Sequence, residues 1–121
     1  SVPGYFEGAA DELCLILQIE TVAAVERIAE IAAVDGVDAL FIGPADLGMS
    51  MGRTGGMADP EVRAVVERAI RAIVAAGKPA GILVTDVGLA QECIGWGTTF
   101  TAVGVDLSLL VGAARHLRGQ F

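Results

Sequence analysis

Basic side chains are scarce in this chain of 121 residues. It has one lysine, one histidine and seven arginines against 15 acids, for a net charge of −7. A nucleic-acid surface needs a basic patch to meet phosphates, so that class of function is excluded. The shortage also bears on covalent catalysis, because a Schiff-base enzyme needs a lysine in its site. Lys78 stands between Gly77 and Pro79, ahead of an apolar run rather than at its end, which disfavours that chemistry. The two cysteines, Cys14 and Cys93, are too few for a disulfide framework and lack metal-ligand spacing. Cys14 lies inside an apolar run and reads as a small buried hydrophobe. Long uninterrupted apolar stretches are also missing. Hydrophobic residues make up 54% of the chain and mean hydropathy is +0.63. Yet every run meets a charge or a turn signal well before the ~20 residues a spanning helix needs. No signal-peptide pattern opens the sequence. These absences point to a cytoplasmic protein with no membrane or nucleic-acid partner.

What is present is a regular alternation. Val2-Pro3-Gly4-Tyr5 reads as a loop and Phe6 to Asp11 as one helical turn. Residues 13–19 form an apolar run of strand length. Thr21 caps a helix over 22–33, in which Val22, Val25, Ile28, Ala29 and Ala32 recur at helical spacing. Asp35-Gly36 turns the chain into a second strand, Val37 to Ile42. Asp59-Pro60-Glu61 starts a helix that runs to about Ala76, where Gly77 stops it. Ala80 to Val84 is a third strand, and Asp86 caps a helix through Ile94. Thr98 to Val103 is a fourth strand, and Asp106 caps a last helix over 107–118. The order βαβαβαβα with short connections implies a parallel sheet with right-handed crossovers. It forms a single domain over residues 1–121.

Four such units make either a small doubly wound sheet or half of an eight-fold barrel. Side chains alternate along a strand. Leu13, Leu15, Leu17 and Ile19 therefore share an aliphatic face suited to packing on helices. Cys14, Ile16, Gln18 and Glu20 share a face that turns polar toward its C-terminal end. A barrel interior has that gradient, packed below and functional above, so the half-barrel is the expected architecture.

Two acids stand where such a fold does its chemistry. Glu20 closes the first strand and Asp46 follows the second, about one βα repeat later. Neighbouring strands lie ~4.8 Å apart. Two carboxylates converging there repel unless one protonates or a cation sits between them. Oxygen ligation of that kind suits Mg²⁺ or Mn²⁺. The plain alternative is that Glu20 and Asp46 merely cap the segments that follow. Gly43-Pro44-Ala45 leads into Asp46 as a close, stiff turn whose Ala45 and Asp46 amides can face a carboxylate. Met51-Gly52-Arg53-Thr54-Gly55-Gly56 reads as a solvated loop, with a lid carrying Arg53 as the alternative. Trp96 is expected to pack on the outside of the sheet, and His116, beside Arg115 and Arg118, to sit near a helix C-terminus.

The stretches Gln18-Ile19-Glu20-Thr21, Val34 to Asp38, Phe41 to Leu47 and Met51-Gly52 closely resemble the metal-dependent class II pyruvate aldolases. These are the 4-hydroxy-2-oxoheptanedioate and 2-dehydro-3-deoxyglucarate aldolases of the phosphoenolpyruvate/pyruvate-binding barrel superfamily. The likeness continues through Gly77-Lys78-Pro79, Gly81-Ile82-Leu83 and Ala102 to Asp106. The resemblance implies that Glu20 and Asp46 ligate a divalent cation, Mg²⁺ or Mn²⁺ with Co²⁺ as a third option. It implies that Gln18 lies beside bound pyruvate and that the Ala45 and Asp46 amides meet its carboxylate. Leu83 would line the aldehyde side. The cation would act as a Lewis acid in reversible cleavage of 2-keto-4-hydroxy acids to pyruvate and an aldehyde. The family is an eight-stranded barrel of roughly 250 residues, and the match falls on strands five to eight. The family's catalytic histidine and pyruvate-holding arginine belong to the other half. The chain is therefore expected to be inactive alone and to associate, as a homo-oligomer or with a complementing half-barrel. An acyl-CoA lyase of the same superfamily, or a non-catalytic α/β module binding a cation or partner, are the alternatives.

Overall fold

A computed structural model describes residues 3–121. Val2 of the expected opening loop lies outside the described residues. Four strands, β1 (Ile16–Ile19), β2 (Ala39–Ile42), β3 (Ala80–Leu83) and β4 (Thr98–Ala102), form one parallel sheet in sequential order. Helices connect them: α2 (Val22–Glu26) and α3 (Ile28–Ala32), then α4 (Pro44–Ser50) and α5 (Pro60–Ala75), then α6 (Val87–Trp96). Helix α1 (Tyr5–Glu12) precedes the sheet and α7 (Asp106–Arg118) follows it. Right-handed crossovers in strictly sequential order return every helix to the same side. A doubly wound sheet reverses its order to cover both faces; this one does not.

Burial follows that geometry. Ile19, Leu40, Ile42, Ala80 and Ile82 point toward the helices and are buried, joined by Val62, Val66, Ile70 and Ile73 of α5. Each fully buried aliphatic side chain contributes about 1.5–3 kcal/mol of transfer free energy. The opposite face is open: Ile16, Leu83 and Phe100 are exposed there, while Phe41 is half-buried. On it the Phe41 and Phe100 rings meet edge to face at 5.6 Å. Phe41 leans over Gly81, where a Cβ would stand 2.5 Å from its ring. Glycine is thus required there for the Phe41 ring to reach Phe100 across β3.

The Thr21, Asp59 and Asp86 caps act as the sequence suggests, whereas Asp106, expected as a cap, lies inside α7, whose N-cap position is Val105. Asp59 Oδ1 accepts the Glu61 amide at 2.8 Å, Pro60 occupies the first helical position, and Gly77 ends the segment at φ 76°. Asp86 Oδ1 accepts the Leu89 amide at 2.9 Å to open α6. Lys78 donates to the Val37 carbonyl at the N-terminal end of the sheet, away from the strand C-termini. Trp96 packs against the helix-side core, and His116 lies exposed in the last turn of α7.

Several expectations need correction. The first strand begins at Ile16, not Leu13. The Leu15 amide donates to Asp38 Oδ2 at 2.7 Å, and β2 offers a ladder only from Ala39 onward. Cys14 is consequently exposed rather than buried. The helix over 22–33 is two helices: Arg27 leaves helical geometry (φ −111°, ψ 16°), and its amide bonds Ala24 O at 3.1 Å. Val25 before the jog and Ile28 after it are both buried in the core. The Gly43-Pro44-Ala45 turn runs directly into α4, and the loop expected over 51–56 is irregular through 55 before a 3₁₀ turn at Gly56–Ala58. Arg53 is not free to reach a substrate, because it pairs with Asp59 at 2.9 Å and with Glu61. Among the described residues no helix is long and apolar enough to cross a membrane.

A carboxylate cleft at the strand C-termini

The parallel register sets the site. Gln18 stands opposite Phe41 and Ile19 opposite Ile42, and the Gly43 amide donates to Ile19 O at 3.1 Å. Glu20 therefore leaves β1 directly beside Gly43. Gly43 is buried, and a Cβ built there would lie 3.1 Å from Glu20 Oε2 and 3.2 Å from Gln18 Nε2. The polar ends of Gln18 and Glu20 thus converge over a backbone that has room for them only because it bears no side chain.

From Gly43 the chain enters α4, with Pro44 at its first position and Asp46 in its first turn. Pro44 spends no amide there, since the first-turn amides have no intrahelical acceptor. A cleft of about 360 Å³ opens beside them. Gln18, Ala45, Asp46 and Leu83 all line it, and Glu20 adjoins it through Gly43. No lysine, arginine or histidine lines it.

Several lining residues were not singled out for this role by sequence. Met57 enters on the 3₁₀ turn, and Thr85, Asp86 and Leu89 enter from the β3–α6 junction. Asp86 was read only as a helix cap. It nevertheless repeats the pattern of Glu20 and Asp46, an acid just beyond a strand C-terminus, and that repetition was the available signal. The 3₁₀ turn had none, because Gly55-Gly56 reads as flexible in isolation.

The neighbouring loop is held electrostatically. The Arg53 guanidinium, hydrogen-bonded to Asp59, holds that carboxyl below its ordinary range, helped by the Glu61 amide. Its own pKa is raised by the same bond. Among the described residues, no three acidic, histidine or cysteine side chains cluster to form a self-sufficient metal cage. The acidic side chains at the cleft are Asp46 and Asp86 on its lining and Glu20 beside Gly43.

Residues 2–113 match the HpcH/HpaI aldolase/citrate lyase family. A hydroxypyruvate/pyruvate aldolase of Cupriavidus necator is 50% identical over 97% of this chain and 44% of that protein. A 2-keto-3-deoxy-L-rhamnonate aldolase of Klebsiella pneumoniae is 47% identical over 99% of this chain and 45% of that protein. The crystal structure of an aldolase/citrate lyase family protein from Burkholderia cenocepacia superposes with a TM-score of 0.88. Its identity is 33%, and the match covers 98% of this chain and 46% of that one. The chain thus spans about half the length of the curated relatives it matches. With its one-sided parallel sheet and its cleft at the strand C-termini, the chain belongs to the HpcH/HpaI aldolase/citrate lyase family.

Proposed function

We propose that this chain is the metal-binding half of a class II pyruvate aldolase, corresponding to strands five to eight of the barrel. The complete enzyme would cleave 2-keto-4-hydroxy acids reversibly to pyruvate and an aldehyde. The observation that carries the reading is the convergence of Gln18 and Glu20 over Gly43, with Asp46 in the helix turn that follows. Glu20 and Asp46 would hold a divalent cation, Mg²⁺ or Mn²⁺, whose all-oxygen preference matches this donor set. When bound, such a cation supplies Lewis acidity toward a 2-keto acid.

The chain's own residues bind and orient. The free Ala45 and Asp46 amides face a substrate carboxylate, the Gln18 amide stands beside it, and Leu83 lines the side where the aldehyde would lie. The cleft has no histidine or lysine to move a proton. The general base therefore comes from a complementing half, and the isolated chain turns over little or no substrate. An acyl-CoA lyase is disfavoured because a CoA phosphate site calls for basic residues, and none lines the cleft.

The test is complementation. The chain would be co-expressed with the amino-terminal half of one of its relatives, and pyruvate release from a 2-keto-4-hydroxy acid followed in Mn²⁺. Turnover that needs both halves and disappears in Glu20→Ala supports the reading. Turnover indifferent to that substitution overturns it.

A further inference from the structure

Asp46 and Ser50 are four residues apart in α4 and so occupy one face of that helix. Ser50 lies at its last position, and its Oγ accepts the amide of Val22 at 3.1 Å. Val22 is the first residue of α2, two positions after Glu20, and its amide has no intrahelical partner. Among the described residues, this is the only side-chain hydrogen bond between the segment that carries Glu20 and the helix that carries Asp46. Backbone pairing between Gly43 and Ile19 joins the same segments at the base. The Ser50 bond joins them again one helical turn beyond Asp46.

We propose that Ser50 is a positioning residue, a strap that fixes the separation and relative aim of the Glu20 and Asp46 carboxylates. It touches no ligand itself. Without it, α2 and α4 keep no side-chain hydrogen bond between them beyond the sheet, and the two carboxylates can splay apart under their mutual repulsion. A cation draws them back, but part of its binding free energy is then spent in restoring the geometry. The strap therefore affects cation affinity more than folding, because the Val22 amide lies at an exposed helix start where water replaces the lost acceptor.

The inference rests on the metal-clamp reading, and the experiment separates the two. Mn²⁺ is titrated into the full chain and into Ser50→Ala, Ser50→Thr and Glu20→Gln, alongside thermal unfolding of the metal-free proteins. Ser50→Ala is expected to weaken Mn²⁺ binding about three- to tenfold, the equivalent of one lost hydrogen bond. The metal-free midpoint should not change, and Ser50→Thr should restore affinity. Wild-type binding that depends on Glu20 but is unchanged in Ser50→Ala overturns the strap and leaves the clamp standing. Loss of affinity accompanied by an equal fall in the metal-free midpoint, with no rescue by threonine, also overturns it. Wild-type binding indifferent to Glu20 overturns the clamp, and the strap with it.

Discussion

Gly43 faces Glu20 so closely that a single added carbon would lie 3.1 Å from the Glu20 carboxylate oxygen. The same carbon would lie 3.2 Å from the Gln18 amide nitrogen. Gly43→Ala is therefore expected to push both polar groups off their present aim. Cation affinity should fall by roughly tenfold, while overpacking costs about 1–3 kcal/mol of stability. Mn²⁺ titration together with urea unfolding checks both.

The Arg53–Asp59 pair makes a pH-dependent contribution. The folded-state pKa of Asp59 is depressed, chiefly by its hydrogen bond to Arg53. Its contribution is therefore fully present above the unfolded value of about 3.9 and is lost as pH falls through the folded value. Asp59→Asn keeps a helix cap but removes the charge. At pH 7 the variant should be less stable than wild type, and the gap should close as the pH falls through the depressed folded-state pKa of Asp59. Denaturant midpoints across the acid range measure this directly.

The two thiols should react at very different rates. Cys14 is exposed, whereas Cys93 is buried and burial raises its pKa. A small thiol reagent at neutral pH should modify one cysteine promptly and the second only on unfolding. Peptide mapping should place the first modification on Cys14.

The open sheet face predicts association. Ile16, Leu83 and Phe100 are exposed on it, and β1 and β4 present unpaired parallel edges. Unpaired edges beside an uncovered apolar face recruit other chains. Helix α7 adds Leu107, Leu110, Val111 and Leu117, all exposed. Sedimentation of the purified chain should give dimers or larger species. A stable, well-folded monomer would count against this.

The sequence was legible where local chemistry decides structure. Asp59-Pro60 and Asp86 cap their helices as their identity requires, and alternation in β1 correctly separates Ile19 from Gln18. It was less legible where tertiary partners decide. Cys14 sits in a run with the composition of a strand, but no neighbouring strand extends to meet it. The break at Arg27 occurs within a continuous apolar periodicity, which carries no local signal for it. The cleft lies where Glu20, Asp46 and the Gly-Pro turn pointed. The Ser50–Val22 bond depends on a helix, α4, and Met57 on a 3₁₀ turn, both of which Gly48 and the glycines after it disguised as loop.

The central claim is that Glu20 and Asp46 form one cation clamp that also receives pyruvate. Its most direct test is Mn²⁺ titration of the full chain with and without pyruvate, in wild type, Glu20→Gln and Asp46→Asn. The account predicts that pyruvate tightens Mn²⁺ binding and that each substitution weakens it by roughly tenfold or more, with the fold retained by circular dichroism. Mn²⁺ affinity unchanged by pyruvate and by both substitutions would contradict it.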